Sequence, residues 1–300
     1  MITKPQKAPS KSITDEELSL LPFPVFGSPK LDGFRCVTNN AAYTSSMKKV
    51  QNDYIQNILS HPNYAGLDGE ICVGPANDPN VFNNTTGAVR RKDGGPAFMF
   101  YVFDRHDLTD HYSLRYESLS VQCMNLPFVS VLKQAVLHSP QEVIDYTNGC
   151  VEQGFEGAMI RTMQGKYKEG RCTLKEMNIF KRKPVEDDEA VVIGFEEQME
   201  NQNESFTNEL GNTTRSTNKE NLVGKNTLGK FVMQSPKWEE PFYCGTGLGL
   251  TEGLRKYIWE NKERFRGQTV TYKFQKYGSI DAPRQPIWKG FRDIADMTGY

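Results

Sequence analysis

The residues with the clearest chemical potential in this sequence are the six from Lys30 to Arg35, which read Lys-Leu-Asp-Gly-Phe-Arg. A lysine amine attacks an electrophile only after it loses its proton, and burial or a nearby cation favours that loss. The glycine permits a sharp turn, so Lys30, Asp32 and Arg35 can converge on one phosphate-sized site. Taken alone, the hexapeptide predicts either a lysine nucleophile or a charged surface turn.

Four further groups of residues favour the nucleophile. Two carboxylates, Glu70 and Glu156, lie beside glycines at predicted strands, and Phe103 ends another apolar run. Lys181 and Lys183 lie on one face of a predicted strand, because strand side chains alternate. Cations stabilise a transferring phosphate, carboxylates hold a divalent metal or a ribose hydroxyl, and an aromatic face stacks on a base. Together these residues supply the groups that nucleotidyl transfer requires.

Lys30–Arg35 resembles the Lys-x-Asp-Gly-x-Arg signature of the covalent nucleotidyltransferases. The whole chain resembles the minimal ATP-dependent DNA ligases, and the resemblance covers nearly its full length. It extends through Thr85–Val89, Gly165–Arg171, Thr173–Glu176, Gly245–Gly247, Trp259–Glu263 and Pro283–Pro286.

The resemblance implies the reaction and its cofactors. Lys30 would attack the α-phosphate of ATP and carry AMP, with Mg²⁺ or Mn²⁺ as the metal. AMP would pass to a DNA 5′-phosphate, and the neighbouring 3′-hydroxyl would displace it and seal the nick. The implied catalytic residues are Lys30, Asp32, Arg35, Lys181 and Lys183. The implied nucleotide ligands are Lys30, Glu70 at the ribose, Phe103 at the adenine, and Glu156, which would help to position the metal. Lys181 and Lys183 would contact the α-phosphate, and Arg292 would orient the pyrophosphate. The implied metal ligands are Asp32 and Glu156.

Two positions depart from the family pattern. Ser45 stands where these ligases carry an arginine for the 5′-phosphate, so the expected DNA contacts are Arg35, Lys48 and Lys49. The C-terminal motif Arg-x-Asp-Lys of larger ligases reads Arg-Asp-Ile-Ala from Arg292, so only that arginine is carried over.

The apolar pattern predicts an α+β fold in two domains. Short strands and helices from Val25 to Lys183 indicate a nucleotidyltransferase (adenylation) domain of antiparallel sheets with helices, over residues 1–185. One helix is predicted over Pro140–Gln153, because Ser139 can cap it and proline suits the first helical position. Further short strands with one helix indicate a small OB-fold β-barrel domain over 186–300. Residues 198–225 are polar and almost without apolar side chains, which predicts a loop or an arm that orders on a partner. By the resemblance, this arm would be a latch that closes around nicked DNA.

Charge and cysteine usage favour a nucleic-acid partner and a reducing compartment. The net charge is −1, but residues 161–183 hold eight basic and two acidic residues, and residues 255–292 hold ten and three. These stretches can form a positive surface for a phosphate-rich partner, so the expected partner is nicked duplex DNA, clamped by a monomer. The six cysteines show no Cys-x-x-Cys spacing. No apolar run reaches membrane-spanning length, and the N-terminus lacks the apolar core of a signal peptide. We therefore expect a cytoplasmic protein, inside the host cell if its source is viral.

Three other functions remain compatible with the residues. An RNA ligase or an mRNA capping guanylyltransferase would share the lysine signature, and a catalytically inactive protein could still bind nicks. The capping enzymes carry an intact C-terminal Arg-x-Asp-Lys, which is absent here. A binding module has no use for a lysine nucleophile surrounded by carboxylates and lysines. NAD-dependent ligases carry a four-cysteine zinc site, which this sequence lacks.

Overall fold

A computed structural model describes residues 2–207, 213–216, 218–247, 249–275, 279 and 281–292. The chain divides into two compact units, Met1–Pro184 and Val185–Tyr300. No described helix has the length and hydrophobicity needed to span a lipid bilayer.

The first unit is built from two sheets with helices packed on them. Its strands are β1 Val25–Pro29, β2 Phe34–Thr38, β3 Ala42–Thr44, β4 Leu67–Val73, β5 Phe98–Arg105, β6 Val129–Val131, β7 Ala135–Leu137, β8 Ala158–Thr162 and β9 Ile179–Arg182. Its helices are α1 Asp15–Leu18, α2 Asp53–Leu59, α3 Val81–Arg90, α4 Tyr112–Gln122 and α5 Pro140–Glu152, with short 3-10 helices at Pro62–Tyr64 and Leu174–Glu176.

The strand order places the predicted site residues on facing elements. One sheet has the order β7-β1-β8-β9 and the other has the order β3-β2-β4-β5-β6. Every pairing in these sheets is antiparallel except β5 with β6. Lys30 directly follows β1, Glu70 lies on β4, Phe103 on β5 and Lys181 on β9. Both sheets therefore contribute to the site.

Most of the helices and strands predicted for this unit are present, and α5 illustrates the local sequence signals on which such predictions depend. The Ser139 hydroxyl accepts a hydrogen bond from the Glu142 amide at 3.2 Å, and Pro140 takes the first helical position. Helix α3 was not predicted, since its Asn- and Thr-rich sequence has low helix propensity. It forms because Val81, Thr85 and Val89 are buried at a spacing of four residues.

The second unit is a closed five-stranded barrel. Its strands are β10 Glu186–Asn201, β13 Leu222–Gln234, β14 Phe242–Gly245, β15 Thr269–Gln275 and β16 Arg284–Phe291, in the order β10-β13-β14-β16-β15. Helices α6 Glu252–Glu260 and α7 Lys262–Phe265 precede β15. Register shifts along β10 at Val192/Gly194 and Glu196/Glu197 allow this long strand to curve and pair with both β13 and β15. The core includes Phe231 and Tyr272.

The polar arm differs from the sequence expectation in its secondary structure. Residues 198–201 and 222–225 continue β10 and β13, and β11 Ser205–Thr207 pairs with β12 Thr213–Arg215 as a small hairpin, followed by a 3-10 helix at Lys219–Asn221. The 6% exposed Asn203 side chain holds the base of the arm, donating to the carbonyls of Ser216 at 3.1 Å and Asn218 at 2.8 Å. The arm is therefore held by backbone hydrogen bonds and by the buried Asn203 side chain, and not by the burial of apolar side chains.

Strand β16 was also missed. Prolines flank or interrupt this stretch at positions 283 and 286, and proline argues against a strand because it cannot donate to the ladder. Here β14 and β16 share a single parallel register pair, Gly245 with Ile287, whereas β15 pairs with β16 over several positions. The strand tolerates Pro286 because this residue falls at the register shift between the pairs Lys273 with Ile287 and Gln275 with Arg284, outside the regular ladder.

Candidate active site

Two glycines fix the backbone around Lys30. The Lys30 amide donates to the Gly157 carbonyl at 2.8 Å, and the Glu156 amide donates to the Lys30 carbonyl at 3.3 Å. Gly157 has φ +145°, and a Cβ there would lie 2.2 Å from the Arg182 carbonyl oxygen. A Cβ on Gly33 would lie 2.4 Å from the Ile71 carbonyl oxygen. A side chain at either position would clash with a carbonyl oxygen, so only glycine allows these close approaches. Together with the two hydrogen bonds, they hold Lys30 against the segment that carries Glu156.

A buried carboxylate joins two of the predicted lysines. The Lys30 amine contacts Glu156 Oε2, and the Lys183 amine contacts Glu156 Oε1. The Glu156 side chain is 3% exposed. Burial alone would raise the pKa of Glu156, but the charges of Lys30 and Lys183 outweigh it and lower that pKa. Glu156 is therefore ionised and orients both amines.

Four of the predicted nucleotide ligands line a single cavity. Its lining includes Lys30, Glu70, Phe103 and Lys181, and its apolar part comes from Leu31, Leu132 and Met159. Burial, followed by the charges of Lys183 and Lys30, lowers the pKa of Lys181. A binding site with an apolar end and converging cations is suited to a base that carries phosphates.

Arg35 lies in the same cavity and is strongly fixed. Its Nε and Nη2 donate to the Asp68 carboxylate at 2.7 and 2.9 Å, and Asp68 also accepts from the Tyr167 hydroxyl at 2.7 Å. The Arg35 guanidinium lies 4.6 Å from the Phe103 ring centroid. Burial would lower the pKa of Arg35, but the Asp68 charge more than compensates and raises it. Arg35 is therefore a permanent cation held against the aromatic ring.

A second buried ion cluster supports the cavity, and the sequence did not indicate it. Asp104 is fully buried and accepts from Arg115 Nε at 2.7 Å, from Arg115 Nη2 at 3.1 Å and from Arg161 Nη1 at 3.3 Å. Arg161 lines the cavity and lies 5.0 Å from the Phe103 centroid. Asp104 follows Phe103 directly, so this cluster fixes the end of β5 that presents the ring. The only sequence signal was a charged residue after an apolar strand.

The predicted metal ligands are compatible with magnesium. Glu156 contacts Lys30, which lines the cavity, and Asp32 follows Lys30 by two residues. In the described residues, no group of three His, Cys, Asp or Glu side chains could hold a metal. Mg²⁺ is commonly bound by one or two carboxylates together with substrate phosphates and water. This donor set fits a metal that arrives with a nucleotide.

Five predicted residues of the first unit do not line this cavity. Glu156 contacts Lys30, which does line it, Lys183 contacts Glu156, and Asp32 follows Lys30 by two residues. Lys48 and Lys49 are exposed beside β3, where the Thr44 amide donates to the Lys48 carbonyl at 2.8 Å, and neither side chain lines the cavity. Arg292 belongs to the second unit, where its Nε lies 2.5 Å from Glu189 Oε1. Their predicted contacts to DNA and to pyrophosphate stay predictions.

Burial gives Glu70 an unusual titration, and this leads to a pH prediction. Burial raises its pKa to about 7, against the lowering effect of Lys30 and Arg35. The folded state therefore holds a proton that the unfolded state releases near pH 4.5. The free energy of unfolding should fall by about 2–3 kcal/mol as the pH rises from 4.5 to 7, through this group alone.

The Glu70→Gln variant isolates this effect. Its unfolding free energy, measured by urea denaturation at pH 5 and pH 8, should decline less than that of the unaltered protein. Glu117→Gln, a helix-surface change, provides the control. An identical pH dependence in Glu70→Gln and the unaltered protein would contradict the assignment.

The architecture is that of a nucleotidyltransferase domain followed by an OB-fold domain, which confirms the predicted fold class. The chain has the fold of the minimal ATP-dependent DNA ligases, as the sequence resemblance predicted.

Two structures of Chlorella virus DNA ligase-adenylate are 26% and 28% identical to this chain, with TM-scores of 0.53 and 0.55. They cover 97% and 98% of it, over 100% and 99% of their own length. A structure of Lig E DNA ligases, described as DNA binding with a minimal scaffold, shares the fold at 21% identity and a TM-score of 0.68, covering 97% of this chain and 100% of its own. No protein-family model and no curated protein matches the sequence.

Proposed function

We propose that this protein is an ATP-dependent DNA ligase that seals 3′-hydroxyl/5′-phosphate nicks in duplex DNA. The observation that carries the proposal is the contact of Lys30 and Lys183 with one buried carboxylate, where Lys30 lines a cavity together with Glu70 and Phe103. A lysine held in this way, beside a stacking surface for a base, is suited to accepting a nucleotidyl group.

The proposed first step forms a bond between Lys30 Nζ and the α-phosphorus of ATP and breaks the bond to the departing pyrophosphate. Glu156 aims the amine, and its Oε2 is the atom in contact with the proton that must leave. Lys181 and Lys183 neutralise charge that develops on the α-phosphate. Glu70 and Phe103 hold the ribose and the adenine. A divalent metal bound by Asp32, Glu156 and the phosphates would add further charge neutralisation.

The later steps transfer the AMP to DNA. An oxygen of the nick 5′-phosphate attacks the adenylate phosphorus, the bond to Lys30 breaks, and the 3′-hydroxyl then displaces AMP. Arg35 binds the nick and Asp32 acts at its termini, and Lys48 and Lys49 are further phosphate contacts. In this proposal the protein acts as a monomer that surrounds its substrate.

The direct test is nick sealing with defined cosubstrates. The protein is incubated with Mg²⁺ and a nicked DNA duplex or nicked RNA, and with ATP or GTP. We expect sealing of DNA with ATP. Preferential sealing of RNA would indicate an RNA ligase, labelling by GTP alone would indicate a capping enzyme, and tight nick binding without any adduct would indicate an inactive binding protein.

The arm at residues 198–225 is the proposed latch. Among its exposed apolar side chains are Met199 at 49%, Phe206 at 54% and Val223 at 46% exposed, an arrangement typical of a contact surface. We expect nicked duplex DNA to protect this arm from limited proteolysis, because the latch closes only on its substrate. Equal protection by intact and nicked duplexes, or none by either, would contradict the latch assignment.

A further inference from the structure

The N-terminal segment contributes a lysine to the nucleotide cavity. The Lys7 side chain lines the same cavity as Lys30, Glu70 and Lys181. Its backbone is fixed from both sides, since its amide donates to the Gly170 carbonyl at 2.7 Å and its carbonyl accepts from the Cys172 amide at 2.8 Å. These bonds use only the main chain, so they fix the position of Lys7 without using its amine.

The preceding residue anchors this segment deep in the unit. Gln6 is 2% exposed, its side chain donates to the Lys166 carbonyl at 3.0 Å, and its carbonyl accepts from Arg35 at 3.1 Å. The Gln6 amide donates to the Tyr167 hydroxyl at 3.2 Å. The segment is therefore a wall of the cavity.

Most of the cations that line the cavity are paired with a carboxylate, whereas the described structure shows no counterion for the Lys7 amine. Arg35 is paired with Asp68, and Arg161 with Asp104. Lys30 is paired with Glu156. In the described part of the chain, neither Lys7 nor Lys181 forms an ion pair, and the ligase resemblance already gives Lys181 the α-phosphate.

The surroundings of Lys7 favour an anion. Arg171 lies beside this segment, where its Nη1 donates to the Ala8 carbonyl at 2.9 Å. Burial, followed by the charges of Arg35, Arg171 and Lys4, lowers the pKa of the Lys7 amine. A partly buried amine close to several cations gains from a bound phosphate.

We propose that the Lys7 amine binds a phosphate group at the edge of this cavity. That phosphate belongs either to the β,γ-phosphates of ATP or to the 5′ end of the nick, where Ser45 leaves the family's arginine missing. This inference rests on the proposed ligase function.

Lys7→Met tests the amine while keeping the length of its stem, and Lys7→Arg restores the charge. Lys11→Met is the control, because Lys11 is exposed on the same segment and does not line the cavity. Two reactions are measured separately: adenylylation at subsaturating ATP, and sealing of 5′-phosphate nicks by enzyme already carrying AMP. Thermal unfolding of each variant checks its fold.

We expect Lys7→Met to slow one reaction by about 10- to 100-fold, which corresponds to one charge-assisted hydrogen bond. A loss in adenylylation assigns the site to ATP, and a loss in sealing assigns it to the nick. Lys7→Arg should recover most of the rate. Rates within about twofold of the Lys11→Met control in both reactions would overturn the proposal.

A binding measurement separates this inference from the proposed function. If the unaltered protein neither forms an adduct nor seals nicks, the ligase assignment fails. Calorimetric titrations with ATP in EDTA and with a 5′-phosphate nicked duplex still report on the site. Weaker binding of either ligand by Lys7→Met than by Lys11→Met would support the phosphate site, and equal binding of both ligands would overturn it.

Discussion

Replacing Lys30 with alanine should abolish the covalent adduct with labelled ATP and lower nick sealing by at least about 10⁴-fold, since loss of a covalent nucleophile removes the reaction path itself. Lys30→Arg should fail as well, because a guanidinium stays protonated and cannot attack phosphorus. The measurement is adduct formation with α-labelled ATP and Mg²⁺, followed on a denaturing gel.

The control for this result is Lys92→Ala, which removes an exposed lysine of the same unit. It should retain the adduct. Sealing by Lys30→Ala of a nick that already carries a 5′-adenylate should survive far better than sealing of an ordinary nick, since the lysine–AMP bond is then bypassed. A labelled adduct in Lys30→Ala would refute Lys30 as the nucleophile.

The largest expected effect on stability comes from the buried ion cluster behind Phe103. Arg115→Met should lower the free energy of unfolding by about 3–5 kcal/mol, because it leaves Asp104 buried without the guanidinium that binds it through two hydrogen bonds. Arg115 is 1% exposed and also donates to the carbonyls of Asp110 at 2.6 Å and Gly165 at 3.0 Å. Chemical denaturation monitored by circular dichroism provides the measurement.

The matched control lies next to this cluster in the chain. Arg105 and Asp107 form an ion pair with side chains 18% and 38% exposed, in contact with solvent and unlike the buried Arg115, so Arg105→Met should cost about 1 kcal/mol. The double variant Asp104→Ala/Arg115→Met should be less destabilised than the sum of the two single changes. Equal costs for Arg115→Met and Arg105→Met would show that the buried cluster does not stabilise the fold.

Much of the site could be predicted from sequence because its groups occur in short local patterns. The hexapeptide at Lys30 is recognisable because its residues are contiguous, whereas the close approaches that Gly33 and Gly157 permit are to Ile71 and Arg182, far along the chain. Alternation along a strand fixes the spacing of Lys181 and Lys183. The same local rules predicted α5 from its serine cap and its proline, and the α+β class from the apolar runs.

The sequence by itself therefore predicted the fold class and the resemblance to ligases and singled out Lys30 as the candidate nucleophile, because these depend on patterns within a few residues. Only the tertiary structure decided which charges meet. It brought Glu156 between Lys30 and Lys183, buried Asp104 between two arginines, and placed Lys7 in the cavity. These contacts join residues far apart in the chain, and their pairing depends on sheet order and register, which no local pattern specifies.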